Sequence, residues 1–213
     1  MPTIDSARPW YPENDPVHGF DHVLRVYHMA EILAQEEGAD LEIVQAAALL
    51  HDAEGSETSG GEIGRTNHHH ASAEHAWQVL LAEGWQPERI EAVVHCIRAH
   101  RFRDDSEQPQ TLEAKILFDA DKLDVIGAIG IVRTVAFDVV VGQPIYFPPS
   151  DLFISTGVKE VGEPHSSYHE YLFKLSKIKD RLYTAKARGL AEDRHAFMAE
   201  FFQRLAAESR GEQ

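Results

Sequence analysis

Apolar residues recur along this chain at helical spacing almost from end to end. The first run, Val23, Val26, Tyr27, Ala30, Leu33 and Ala34, steps through i, i+3, i+4 and i+7 and predicts a helix over about 16–36. After the turn EEGAD, Asp40 is placed as the N-cap of LEIVQAAALLHD, which is apolar around most of its circumference and so belongs at the centre of a fold. The Gly-rich EGSETSGGEIG interrupts the pattern. A third helix is expected from about Asn67 to Glu83 on Ala73, Ala76, Trp77 and Leu80, and Pro87 opens a fourth striped by Ile90, Val93, Val94 and Ile97. The segment TLEAKILFDADKLDVIGAIGIVRTVAF reads as two helices hinged near Gly127 and Gly130. From Gly142 to Pro164 the chain is rich in Pro and Gly without a period, the signature of a surface loop or mobile lid, and helices return over about 167–208. No strand-like alternation is sustained. The expected fold is all-α, a single-domain helical bundle over residues 1–213 with its core over about 16–140.

Composition narrows the class of partner. With 213 residues and 43% hydrophobic content, the chain can bury one sizeable core. A formal charge of −15 argues against a surface built for a nucleic acid polymer or an anionic membrane. Cys96 is the only cysteine, which excludes an internal disulfide and fits a reducing compartment. The start, MPTIDSARPWYPEN, has no basic and apolar signal pattern, and no run approaches the roughly 18 apolar residues of a membrane span. The cytoplasm is the default location.

The chemistry concentrates at LLHDAEG, where the second helix ends in His51 and Asp52. A buried carboxylate without a partner is costly, so the pair either coordinates a cation or caps the helix and bonds nearby backbone. Two further helices offer matching groups. His18, His22, Arg25 and Met29 share one side of the first helix beside its apolar stripe. Asp121 and Asp124 are three apart, and Asp121 lies over Leu117. Imidazoles from two helices plus two carboxylates make an octahedral or tetragonal site with positions left for water, suited to Mn²⁺, Mg²⁺ or Fe.

Taken in order, HGFDHVLRVYHMA, AAALLHDAEG and DADKLDVIGAIGIVRT resemble the HD superfamily of metal-dependent phosphohydrolases, whose signature is H…HD…D. EAVVHCIRAHRF and TLEAKILFDADKLDVIGAIG extend the similarity to the small stand-alone bacterial subgroup, over most of residues 16–205. The resemblance implies an all-helical HD-domain bundle with a buried metal site held by His22, His51, Asp52 and Asp121. Mn²⁺ or Mg²⁺ is the expected ion, with Fe, Co²⁺ or Ni²⁺ fitting the same site. Asp52 is the candidate to orient water. Arg25, with Lys122 and Arg133, is a candidate to clamp phosphate oxygens; each reads equally as a solvated charge or cap. His18, His68 and His100 are candidates for substrate or a second metal. His100 lies on the Val93 and Ile97 side of its helix and His95 on the other. In NHHHASAEHA the family-like spacing picks His68, whereas the apolar stripe favours His69 or His70. His28, His75, His165, His169 and His195 read as surface or capping residues. The general acid is unassigned, with Glu54 and Glu57 nearest. The implied activity is hydrolysis of a small phosphorylated metabolite, a nucleotide or nucleoside triphosphate foremost. The alternatives are a dinuclear-iron oxygenase and a catalytically silent regulatory module, and the oligomeric state is left open, a homo-oligomer included.

Overall fold

The computed structural model describes residues 1–12, 19–55, 61–101 and 107–212, without the side chains of 61–67. Among these there are α-helices and short 3₁₀ segments but no strand, and no helix is long and apolar enough to cross a membrane. The chain gathers into two compact units, one of residues 1–122 with 182–187 and one of 123–181 with 188–213.

The first unit holds α1 (Ile4–Ala7), α2 (Phe20–Glu37), α3 (Leu41–Leu50), α4 (Gly61–Ala82), α5 (Pro87–Ala99) and most of α6 (Leu112–Leu123). Helix α2 buries the expected stripe and stops where Gly38 turns left-handed, its N–H closing on the Ala34 carbonyl. Asp40 caps α3 by accepting from the Glu42 and Ile43 N–H groups, while Arg89 of α5 grips the same carboxylate at 2.8 Å and holds its pKa down. That anchoring leaves Ile43, Val44 and Ala46 through Leu50 of α3 buried, packed against α2 and α5. Helix α4 begins at Gly61, earlier than the periodicity predicts: one interior glycine, Gly64, costs only about 1 kcal/mol against the helix formers around it. Asp119 of α6, fully buried, accepts from the Tyr183 and Thr184 N–H groups and from the Thr184 hydroxyl, and so ties residues 182–187 into this unit.

The second unit holds α7 (Gly127–Val140), α8 (Asp151–Thr156), α9 (Ser167–Phe173) and most of α10 (Ala185–Ser209). The expected hinge falls at residues 124–126, and Gly127 takes φ +74°, a left-handed turn open to glycine at no steric cost. Gly130 lies inside α7, where a Cβ would collide with the Val125 carbonyl. The Pro/Gly-rich segment is more ordered than its composition suggests. It contains α8, capped by Ser150, and is fastened by Glu163, which accepts from the Ser150 N–H at 2.8 Å, the Ser150 hydroxyl at 2.7 Å, the Glu160 N–H at 2.7 Å and His169 Nε2 at 3.0 Å. Burial opposes the charged form of Glu163, and His169 with the other donors outweighs it, holding the pKa at about 2. His169, expected at the surface, is fully buried in this clasp, with Nδ1 2.7 Å from the Ser166 hydroxyl.

Candidate metal centre

Five helices of the first unit deliver histidines and carboxylates to one place: His22 from α2, His51 and Asp52 from the end of α3, His68 from α4, His100 from the end of α5 and Asp121 from α6. His22, His51 and His100 are almost fully buried. Asp52 stands at the middle. Its Oδ2 lies 3.5 Å from His51 Nε2 and 3.9 Å from His22 Nε2, and its Oδ1 lies 3.5 Å from His100 Nε2 and 3.6 Å from His68 Nε2. Asp121 completes the His22 side, with Oδ1 at 3.5 Å from the same Nε2. The donor atoms form two sets of three, His22–His51–Asp52 and Asp52–His68–His100, within each of which all atoms lie within 4.8 Å of one another.

Local backbone fixes what these rings present. His51 and His100 each follow the last turn of a helix, and each turns Nδ1 to the carbonyl three residues back, Ala48 and Ile97 respectively. Each Nδ1 therefore carries the proton and each Nε2 offers a lone pair toward Asp52. His51 Nε2 and Asp52 Oδ1 are buried and make no hydrogen bond among the described residues. His51 Nε2 faces Asp52 Oδ2 and His100 Nε2 faces Oδ1, so acceptor meets acceptor on both sides of the carboxylate. Such pairs repel in a buried site and a cation between them satisfies both, so the residues present fit a divalent metal. With no cation among them, burial would raise the Asp52 pKa, but the His51, His100 and His68 imidazoles, when protonated, overcome it and hold the carboxyl well below its usual range. Asp121 is likewise lowered against its burial, chiefly by Lys122 and then by His22.

The other candidates divide. Lys122, buried, donates to Asp121 Oδ2 at 2.6 Å with its ammonium over the Phe118 ring. Arg25 pairs with the exposed Asp21 at 2.7 Å, one turn back on α2. Arg133 lies in the second unit, where it donates to the Asp124 carboxylate at 2.8 Å, so the second carboxylate of the Asp121/Asp124 pair serves as an internal partner. His18 and Glu57 lie outside the described residues. Glu54 is held by His75 at 2.8 Å, and His95 faces Glu107 at 3.0 Å. His69 is buried beside His68 and His70, and desolvation above all pushes its pKa down to about 4. Tyr11 carries no sequence signal, yet its buried hydroxyl donates to the Leu49 carbonyl at 2.9 Å, two residues before the His-Asp pair. Its own proton is held tightly, by burial first and by the Asp52 charge second.

Residues 19–126, which carry every member of this cluster, match the HD domain family. The chain belongs to the HD domain family. Among HD relatives, YpgQ of Bacillus subtilis is 33% identical over 191 residues, 88% of this chain and 82% of YpgQ. The crystal structure of YpgQ in complex with ADP superposes with a TM-score of 0.73 at 30% identity, covering 99% of this chain and all of that one. An HD-superfamily hydrolase from Bacillus thuringiensis gives a TM-score of 0.69 at 28% identity, over 97% and 94% of the two chains. Ribonuclease Y of Chloroflexus aurantiacus shares 34% identity over 114 residues, which is 53% of this chain but 19% of that enzyme.

Proposed function

We propose that this HD protein is a metal-dependent phosphohydrolase acting on a small phosphorylated metabolite, a nucleotide or nucleoside triphosphate foremost. The observation that carries the reading is the Asp52 carboxylate facing four imidazole nitrogens at 3.5–3.9 Å, with the buried His51 Nε2 and Asp52 Oδ1 lacking any hydrogen-bond partner among the described residues. His22, His51, Asp52 and Asp121 would hold one divalent ion, Mn²⁺ or Mg²⁺ first. Bound there, it would acidify water and offset charge developing on a phosphoryl oxygen. Asp52 is assigned to orient that water by accepting a hydrogen bond from it. Lys122, poised on Asp121, is assigned to meet a phosphate oxygen with its ammonium, and Arg25 to meet the substrate from the side of α2. The YpgQ complex with ADP supports a nucleotide. The strong negative charge of the chain favours a small substrate over a polymer.

Release of phosphate or pyrophosphate from a panel of nucleotides and sugar phosphates, each with Mn²⁺, Mg²⁺, Co²⁺ or chelator, tests the reading. Release that requires metal and stops with chelator supports it, and the product identifies the bond cut. Silence across the panel overturns it. One observation favours a second reading: Asp52, His68 and His100 form a further set of three donors, enough for a second ion and thus for a dinuclear-iron oxygenase. Two irons per chain with substrate-dependent oxygen uptake would select that reading.

A further inference from the structure

Helix α7 turns one side into the second unit and leaves the other bare. Gly127, Gly130, Ile131, Arg133 and Asp138 are buried, whereas Ile129, Val132, Val139 and Val140 are exposed, Val132 and Val139 each by 65%. Ile129, Val132, Ala136 and Val139 follow one another at steps of three, four and three residues, the rhythm of helices that pair knobs into holes. Ala136 sits at the middle of this row, where a small side chain lets two helix axes approach closely. Arg133 and Asp138 are the only charged residues of α7. Both are turned inward, Arg133 onto Asp124 and Asp138 onto the Ser167 hydroxyl at 2.6 Å, so the outward face of the helix carries no charge.

We propose that this face is the contact of a homodimer, in which α7 packs across α7 of a second copy about Ala136. Charge selects that occupant. A basic partner would be met by acidic side chains, which this chain has in excess and which the outward face of α7 lacks. Two copies at −15 each repel except where charge has been removed, and an aliphatic row with a small residue at its centre is complementary to itself about a two-fold axis. Val140 and Val141, 60% and 42% exposed, broaden the row at its C-terminal end. A single helix face belongs with small reversible interfaces, so the dimer dissociates at micromolar concentration.

Sedimentation equilibrium of the full chain from low to several hundred micromolar tests the assignment. The mass should rise from one chain toward two, and added salt should tighten the dimer by screening the mutual repulsion. The pair Val132→Asp with Val139→Asp should weaken association at least tenfold, while Leu81→Asp, at an exposed apolar position of α4 in the first unit, should leave it intact. Ala136→Cys should cross-link to a second copy with a short bis-maleimide, against a wild-type blank whose one cysteine, Cys96, is buried. A single-chain mass throughout, association weakened by salt, a dimer untouched by the aspartate pair, or no cross-link at Ala136 would each overturn the proposal.

Discussion

Asp52→Asn exchanges one oxygen for nitrogen, keeps the volume and removes the charge at the centre of the cluster. Both carboxylate oxygens are engaged, Oδ2 facing His22 and His51 and Oδ1 facing His68 and His100, all within 3.5–3.9 Å. A unit charge at that distance is attracted to the carboxylate by about 4 kcal/mol at an effective dielectric of about 20. A cation among those nitrogens therefore loses at least that much in the variant, roughly a thousandfold in Kd, which calorimetric titration with Mn²⁺ reads directly. The same loss shows in thermal unfolding. Metal at about a hundred times Kd stabilises by about 2.7 kcal/mol, and a chain of this size gains roughly 2–4 °C per kcal/mol, so Mn²⁺ should raise the wild-type Tm by about 5–10 °C over the chelated protein. The variant should still melt cooperatively but show no rise at the same Mn²⁺ concentration. An Asp52→Asn protein that keeps Mn²⁺ affinity within threefold, or keeps the metal-dependent rise, would refute the assignment of Asp52 as the shared ligand.

Two further perturbations probe the frame around the site. Asp119→Ala leaves the Tyr183 and Thr184 N–H groups without their acceptor in a buried place and should cost about 3–5 kcal/mol, read as a lowered urea midpoint; a loss under about 1 kcal/mol would show that the tie is dispensable. In chelated protein, His69 resists protonation down to about 4 when folded but titrates near 6.5 when unfolded, so its contribution is whole above about 6.5 and is lost as pH falls toward 4, by up to about 3 kcal/mol. His69→Gln should flatten that part of the stability profile in urea titrations across this range, and an unchanged slope would assign it to another group.

What could be read in the sequence was set by range. The helices declare themselves through apolar spacing, and the His-Asp pair stands out because it ends a helix with almost no polar side. Asp121 follows from helical phase on Leu117, and His100 from its place one turn beyond Ile97 and two beyond Val93. His68 does not follow from the apolar stripe, which favours His69 or His70: α4 buries His69 and exposes His70, while His68, picked by the family-like spacing, is the one that faces Asp52 from another helix. The features that escaped have partners far along the chain. Tyr11 meets Leu49 at a separation of 38 residues, and Asp119 meets Tyr183 and Thr184 at 64 and 65. Asp124 reads as a site residue because it lies three after Asp121, and Arg133 because it is a cation following the GAIG turn, but the turn at Gly127 brings the two together as a pair. Glu163 and α8 hid inside a stretch whose Pro and Gly content announces irregular chain, since hydrogen bonds from Ser150, Glu160 and His169 carry an order that composition does not record.

The Glu163 clasp has a consequence for how this protein can change. Ser150 and Glu163 are fastened to each other, so the residues between them form a closed excursion whose ends stay put whatever its length. Each doubling of such a loop adds only about 0.6 kcal/mol of closure entropy. Insertions or a grafted peptide in the exposed stretch just after Gly157 thus leave the flanking helices in register, while a change at Ser150, Glu163 or His169 unfastens the whole excursion. Sequence drift should run over the exposed positions inside the clasp, such as Leu152, Ile154 and Val158, and stop at its three members, at the buried Phe153 packed edge-on against His169, and at Gly157, where a Cβ would meet Phe173.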